Sequence, residues 1–90
     1  MSRKFRTECN EITLRELCNL SCISGIREAV LYDYNASSIL NRKAINDPGM
    51  TVNEIPEKYA DWFVEGFESG YYKDASDQIN LYYEFEIREP

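Results

Sequence analysis

Hydrophobic and polar residues alternate strictly near the end of the chain, from Ile79 to Ile87. Successive side chains of a β-strand point to opposite faces, so this pattern is typical of a strand with one buried and one solvated face. The odd-numbered positions are all apolar or aromatic and are predicted to face the core. The even-numbered positions, on the other face, are Asn80, Tyr82, Glu84 and Glu86. Two such different faces indicate an antiparallel sheet.

A helix is predicted to begin after Thr13. Thr13 and Glu16 have the spacing of a capping box, in which each side chain accepts a hydrogen bond from the other residue's backbone N–H. We expect the helix to extend from about Leu14 to Leu20 or Ser21. The side chains that share one helix face and should dock on the sheet are Leu14, Leu17 and Cys18. The sheet residues expected beneath them are Leu81, Tyr83 and Phe85.

Two further strands and a turn are predicted between this helix and the middle of the chain. The segment from Glu28 to Tyr34 is rich in β-forming residues and is predicted to be a strand. Residues 35–37 form a plausible turn, and Ser38 to Ala44 is predicted as the second strand of the same hairpin. Asp47-Pro48-Gly49 predicts a tight turn in which glycine supplies a positive φ.

The segment that follows has two interpretations. Pro56 to Asp61 is predicted to be a short helix, because proline suits a first helical position. Apolar residues recur every fourth position from Ile55 to Phe67, which favours a longer helix, whereas the glycines and aromatics between Trp62 and Tyr72 favour a strand. We prefer the strand, since the Ile79 segment needs a partner, and we expect Lys73 to Asp77 to form the hairpin loop.

These elements predict one domain over residues 1–90 of the α+β class. We expect a single antiparallel sheet of three to five strands, with one main helix packed on one face and a second short helix. Phe85 is expected to lie in its core.

Charge is divided unevenly along the 90-residue chain, whose net charge is −6. Residues 1–45 contain seven Lys/Arg and five Asp/Glu, whereas residues 46–90 contain three and eleven. The acidic half also holds the single Trp, five of the seven Tyr and three of the four Phe. Acidic side chains mixed with aromatic ones disfavour nucleic acid as a direct partner and suit a basic protein surface.

The composition also narrows the expected compartment. No apolar run approaches the roughly 20 residues of a membrane span, and no apolar segment of a secretory signal follows the basic start. Three Cys is an odd count, which argues against a secreted disulfide framework. We therefore expect a cytoplasmic protein that does not bind membranes, and the sequence leaves open whether it forms a homo-oligomer.

The sequence contains few of the residues that catalysis and metal binding usually require. The chain has no His, the usual general base and the commonest metal ligand. Cys9, Cys18 and Cys22 lack a fourth soft ligand for structural zinc, so a role as small buried apolar residues is favoured. We expect no catalytic residue, no metal, no cofactor and no enzymatic activity.

Paired carboxylates, Glu65 with Glu68 and Glu84 with Glu86, have two interpretations. Glycosidases need two carboxylates across a cleft, but alternating Glu on a strand is more simply a solvated face. Most aromatics of the acidic half are expected in the core, and Tyr82 is the exception that alternation places outside. Tyr is enriched at binding hot spots. The residues predicted to bind a partner are Glu65, Glu68, Tyr82, Glu84 and Glu86.

The order of segments resembles small accessory proteins encoded by phages and prophages. The resemblance rests on a TLREL-type helix, a VLYDY-type strand, an IPEKY-type segment and a final strand. These correspond to Thr13–Leu17, Val30–Tyr34, Ile55–Tyr59 and Ile79–Ile87. Some small acidic proteins of this class, including anti-CRISPR proteins, block host defences by occupying a nucleic-acid-binding surface. The resemblance carries no catalytic residue, and it implies a similar inhibitory role here.

The sequence favours one of three classes of function. The preferred hypothesis is a non-enzymatic domain that binds and inhibits or modulates a host protein through a basic surface of that protein. The alternative is a structural or assembly subunit with an apolar homo- or hetero-oligomeric interface, whose binding would be less sensitive to salt. A small enzyme is disfavoured by the missing His and the absence of a catalytic motif.

Overall fold

The computed structural model of the protein describes residues 11–36 and 42–90. The described part is rich in β-structure, with one three-stranded sheet, one short helix and two 3-10 turns. The strands are β1 (Glu28–Asp33), β2 (Phe63–Lys73) and β3 (Ile79–Arg88). The helix α1 spans Leu14–Cys18, and the 3-10 turns span Val52–Glu54 and Glu57–Tyr59.

β3 is the central strand of the sheet. Its antiparallel partner β2 is joined to it by a hairpin, and β1 runs parallel to it on the other side. Phe85 therefore lies between Leu31 of β1 and Phe67 of β2. A bulge at Glu65 shifts the register between Val64 and Gly66. Both strands predicted for this part of the chain are confirmed. Their predicted ends, Trp62–Tyr72 and Ile79–Ile87, differ from those of β2 and β3 by no more than one residue.

The core lies on one face of the sheet. Odd-numbered side chains of β3 and the facing residues of β1 point into it, as the two-residue period of a strand requires. Apolar side chains from α1 and the two 3-10 turns close it. The buried residues are Leu14, Ala29, Leu31, Val52, Tyr59, Tyr83, Phe85 and Ile87. The prediction that Phe85 lies in the core is confirmed, since none of its surface is exposed.

The predicted fold class is wrong in its helical part. The capping box forms as expected, with the Thr13 N–H donating to Glu16 Oε1 at 2.8 Å. The helix nevertheless ends at Cys18, far short of the roughly 12–15 residues that a helix needs for stability of its own. Leu14 is buried, and Leu17 and Cys18 pack against the core only in part. No main helix covers the sheet in the described residues.

The expected all-antiparallel sheet is also wrong, because β1 is parallel to β3. A parallel pair needs a long connection, and here residues 34–78 provide it. The predicted strand Ser38–Ala44 falls partly outside the described residues, and Arg42–Ala44 are not in a strand. The outer edge of β1 instead bonds to a loop, in which the Ala29 N–H donates to Met50 O at 2.8 Å.

Two local predictions had different outcomes. The predicted short helix Pro56–Asp61 is only the 3-10 turn Glu57–Tyr59. The tight turn at Asp47–Gly49 is confirmed, with a φ of +80° at Gly49 and the Met50 N–H directed at Asp47 O.

The β2–β3 hairpin extends beyond the core. β1 begins at Glu28, which pairs with Tyr82, so residues of β3 before Tyr82 have no strand on that side. Leu81 was expected beneath the helix, but half of its surface is exposed. Ile79, Phe67 and Tyr71 share the same face and are also exposed. Within residues 11–36 and 42–90, no helix is long and apolar enough to cross a membrane.

Replacing Phe85 with Ala should lower the free energy of unfolding by about 3–5 kcal/mol, because it removes a fully buried ring. A domain of this kind has only about 5–15 kcal/mol to lose, so the variant should melt far below the wild type. Leu81→Ala is the matched control on the same strand and face, where half of the side chain is exposed. Equal melting temperatures for Phe85→Ala and wild type would contradict the described core.

Candidate protein-binding surface

The second face of the sheet concentrates carboxylates and tyrosines. The alternation that buries Tyr83, Phe85 and Ile87 turns the even-numbered residues of β3 to this side. We call it the acidic face. Its carboxylate and tyrosine residues are Glu28, Tyr32, Glu68, Tyr72, Tyr82, Glu84 and Glu86.

Register brings carboxylates of neighbouring strands together. Glu68 of β2 pairs directly with Glu84 of β3, and Glu86 follows two residues later on the same side. Like charges placed directly opposite one another in a sheet repel. The acidic face therefore carries a local excess of negative charge that a cation would relieve.

Tyr82 lies across the backbone of β2. Its partner in the register is Gly70, and a Cβ atom added to Gly70 would come within 2.8 Å of the Tyr82 ring. Only a residue without a side chain leaves room for the ring at this point. The glycine therefore fixes where the Tyr82 ring can lie on the acidic face.

Tyr72 connects the two outer strands above Tyr82. The two ring centroids are 6.0 Å apart, and the Tyr72 hydroxyl donates to Glu28 Oε1 at 3.1 Å. This hydrogen bond raises the pKa of Tyr72, and the negative charge of Glu28 adds to the effect. The pKa of Tyr82 is also raised, chiefly by the charge of Glu84. The raised pKa values of both tyrosines thus reflect the negative potential of this surface.

The guanidinium group of Arg42 packs on the acidic face, where it contacts Tyr32 and Glu84. The Arg42 guanidinium carbon lies 3.9 Å from the centroid of the Tyr32 ring. Its Nη1 is 3.6 Å from Glu84 Oε1. A tyrosine ring beneath and a carboxylate beside the cation form a favourable site for arginine. This intramolecular contact shows that a tyrosine ring beside a carboxylate on the acidic face can hold an arginine side chain.

Arg88 occupies the other end of the same side. It stacks on Phe63, with its guanidinium carbon 5.1 Å from the ring centroid, and its Nε donates to Glu65. Its Nη2 reaches Glu11 at 3.3 Å. Glu65, which lies at the bulge, is therefore already paired with a cation of the same chain.

The predicted binding residues are therefore divided. Glu68, Tyr82, Glu84 and Glu86 lie together on the acidic face, while Glu65 lies at its end in an ion pair. Sequence reasoning missed Glu28, Tyr32 and Tyr72. Alternation within β1 could have placed the first two on an outer face, but only the parallel pairing brings them beside β3.

The other candidate groups are less organised. Cys18 is partly buried, and this burial raises the pKa of its thiol, whereas Cys22 is exposed. Cys9 lies outside the described residues. The described ranges contain no cluster of three or more Cys, Asp or Glu able to hold a metal ion. A groove of about 210 Å³ between α1 and the 3-10 turns is smaller than most small-molecule pockets.

Comparison with known proteins does not assign the chain to a family. No family model matches it, and no curated protein or solved structure matches it. The resemblance to phage accessory proteins therefore stays a prediction.

Replacing Glu84 with Gln should lower the pKa of Tyr82 towards the ordinary tyrosine value of about 10, because Glu84 is the main cause of the upward shift. The titration can be followed by NMR with tyrosine labelled at Cζ. Glu57→Gln, which removes the same charge near Arg15, is the control and should leave Tyr82 unchanged. An identical Tyr82 titration in wild type and Glu84→Gln would show that the two groups do not interact.

Proposed function

We propose that the protein is a non-enzymatic binding domain whose acidic face docks on a basic surface of another protein and inhibits or modulates that protein. The observation that carries the proposal is that the Arg42 guanidinium stacks on the Tyr32 ring and forms an ion pair with Glu84. The same combination recurs nearby, where Tyr82 and Tyr72 lie close to Glu68 and Glu28. Arginine side chains of a partner would fit these positions for the same physical reasons.

The partner is proposed to be a host protein whose basic surface normally binds nucleic acid. A face that carries carboxylates in rows presents the same sign of charge as a phosphate backbone. Its occupation of such a surface would compete with nucleic acid, as the resemblance to phage anti-defence proteins implies. The proposed compartment is the host cytoplasm.

Electrostatic complementarity of this kind acts mainly on the association rate. Exposed charges are screened over about 8 Å at physiological ionic strength, so added salt should weaken the complex. Tyrosine rings between the charges contribute contact area that salt does not screen. We therefore expect a complex that is weakened by salt but not abolished by it.

The double variant Glu84→Lys, Glu86→Lys should still fold, because it loses only the part-exposed ion pair with Arg42 and also removes the repulsion between Glu84 and Glu68. It changes the charge of the acidic face from negative towards positive, so a basic partner should associate much more slowly at low salt. The measurement is an affinity pull-down from host lysate, with the captured proteins identified by mass spectrometry. Melting curves check that the variant is folded.

The control carries the same change in charge elsewhere. Glu57 and Asp61 are exposed and pair with Arg15, so Glu57→Lys, Asp61→Lys tests charge reversal away from the acidic face. The partner should be captured by wild type and control but not by the acidic-face variant. Equal capture by all three proteins would refute the proposal.

One observation favours the alternative function of an assembly subunit. Towards the far end of the hairpin, apolar side chains on the core side of the sheet are exposed. These are Phe67, Tyr71, Ile79 and Leu81. Contiguous exposed apolar residues often mark an interface. Binding through this patch should tolerate salt and the acidic-face substitutions, and should be lost in Leu81→Asp.

A further inference from the structure

The outer edge of β2 is free over most of its length in the described part of the chain. At its start, the Val64 N–H donates to Ile12 O at 2.9 Å, and Leu14 N–H donates to Trp62 O. From Gly66 to Lys73 the described residues offer this edge no backbone partner. An edge of this length that residues 11–36 and 42–90 leave unpaired is a template for an added strand.

The hydrogen-bonding pattern identifies which backbone groups are directed outwards. Antiparallel pairs alternate between those that bond each other and those whose N–H and C=O groups point away. Val64, opposite Ile87, belongs to the second kind, because its N–H is directed to Ile12. Continued past the bulge, the alternation puts Phe67, Ser69 and Tyr71 in this same class, since they pair with Phe85, Tyr83 and Leu81.

The two sides of this edge differ in chemistry. On the core side, Phe67 and Tyr71 expose 41% and 68% of their surfaces. On the acidic face, Glu68 lies between Gly66 and Gly70, with Glu84 beside it on β3. An added strand would therefore place alternate side chains against aromatic rings and against carboxylates.

We propose that the bound segment of the basic partner is an extended strand that pairs antiparallel with the β2 edge, as Thr13 does beside Phe63, and that it alternates basic and apolar residues. Its basic side chains lie over Glu68 and the acidic face, and its apolar side chains lie on Phe67 and Tyr71. The inference rests on the proposed function and adds the mode of binding and the sequence pattern of the ligand. A second copy of this chain is a poorer occupant, because each copy carries a net charge of −6.

The available edge limits the length of that strand. Residues 12–14 occupy the edge beside Phe63, and the hairpin loop begins at Asp74. The added strand therefore pairs only between Gly66 and Lys73. Backbone hydrogen bonds supply affinity in such complexes, and the alternating side chains supply specificity.

The test uses the full chain and a capped synthetic peptide of alternating arginine and valine. In an antiparallel pairing, the valines lie opposite Phe67, Ser69 and Tyr71, and their N–H groups should donate to the outward carbonyl groups of these three residues. N-methylation of the valines should therefore weaken binding by about tenfold or more. N-methylation of the arginines is the matched control, since their N–H groups point away from β2.

Amide hydrogen exchange gives an independent readout. The amides of Phe67, Ser69 and Tyr71 should exchange quickly in the free protein and become protected when the peptide is added. Those of Glu68 and Gly70, which bond to β3, should be protected in both states. Protection of the outward amides before peptide is added would show that the edge is already occupied, by the chain itself or by a second copy, and would overturn the inference.

A variant of the protein completes the test. Ser69→Pro removes an outward N–H without breaking the pairing with β3, and it should bind the peptide about tenfold more weakly. Ser69→Ala keeps the N–H and should bind as wild type does. If Ser69→Pro does not fold, the N-methylated peptides and the exchange experiment decide the question alone.

The two proposals fail in different ways. If N-methylation of the valines has no effect while Glu84→Lys, Glu86→Lys abolishes salt-sensitive binding, the acidic face binds cations and the added strand is refuted. If N-methylation abolishes binding and the charge reversal has no effect, the edge binds the peptide and the acidic face does not. Loss in both experiments supports both proposals.

Discussion

Burial of Tyr83, Phe85 and Ile87 in the central strand is the constraint on which the rest of the structure depends. These three side chains form a row beside Ala29 and Leu31 of β1, and α1 and the 3-10 turns cover it. Because the period of a strand is two residues, burying this row places Tyr82, Glu84 and Glu86 on the other face. A slip of one residue would put the carboxylates into the core, so core packing also fixes the acidic face.

The small size of the helix explains how the remaining core is built. Five residues of α1 cannot cover a three-stranded sheet, and single side chains from loops complete the cover. Tyr59 and Trp62 meet edge to face with ring centroids 5.2 Å apart, and the Tyr83 hydroxyl accepts a hydrogen bond from Ser24 N–H. Aromatic residues can do this because each provides a large apolar area with a polar end. Among the residues that the structure describes, this cover does not extend to the hairpin end, and Phe67 and Tyr71 of β2 are exposed there.

Local signals in the sequence were sufficient for several elements. The strict alternation from Ile79 predicts β3 and its buried row, and the Thr13–Glu16 spacing predicts the start of α1. Non-local features could not be predicted in this way. The parallel pairing of β1 with β3 joins segments about fifty residues apart, and nothing within either segment encodes it. The predicted helix is too long at its C-terminal end. Apolar residues continue at helical spacing to Leu20, but Leu20 is exposed and α1 ends at Cys18.

The candidate site shows the same division. Tyr82, Glu84 and Glu86 follow from alternation alone, whereas Glu28, Tyr32 and Arg42 join them only through the sheet topology. Glu65 was predicted to bind a partner, but it lies at the bulge in β2 and forms an ion pair with Arg88. Alternation within the segment did not reveal this bulge. The acidic face is thus partly a property of one strand and partly a property of the fold.

The central claim is that the acidic face binds a basic partner. Chemical-shift mapping of the isotope-labelled protein against a partner recovered from the host tests it most directly. We expect the largest changes at Tyr32, Tyr82 and Glu84, and these changes should decrease together as salt weakens the complex. Changes confined to α1 or to Ile79 and Leu81, and insensitive to salt, would contradict it.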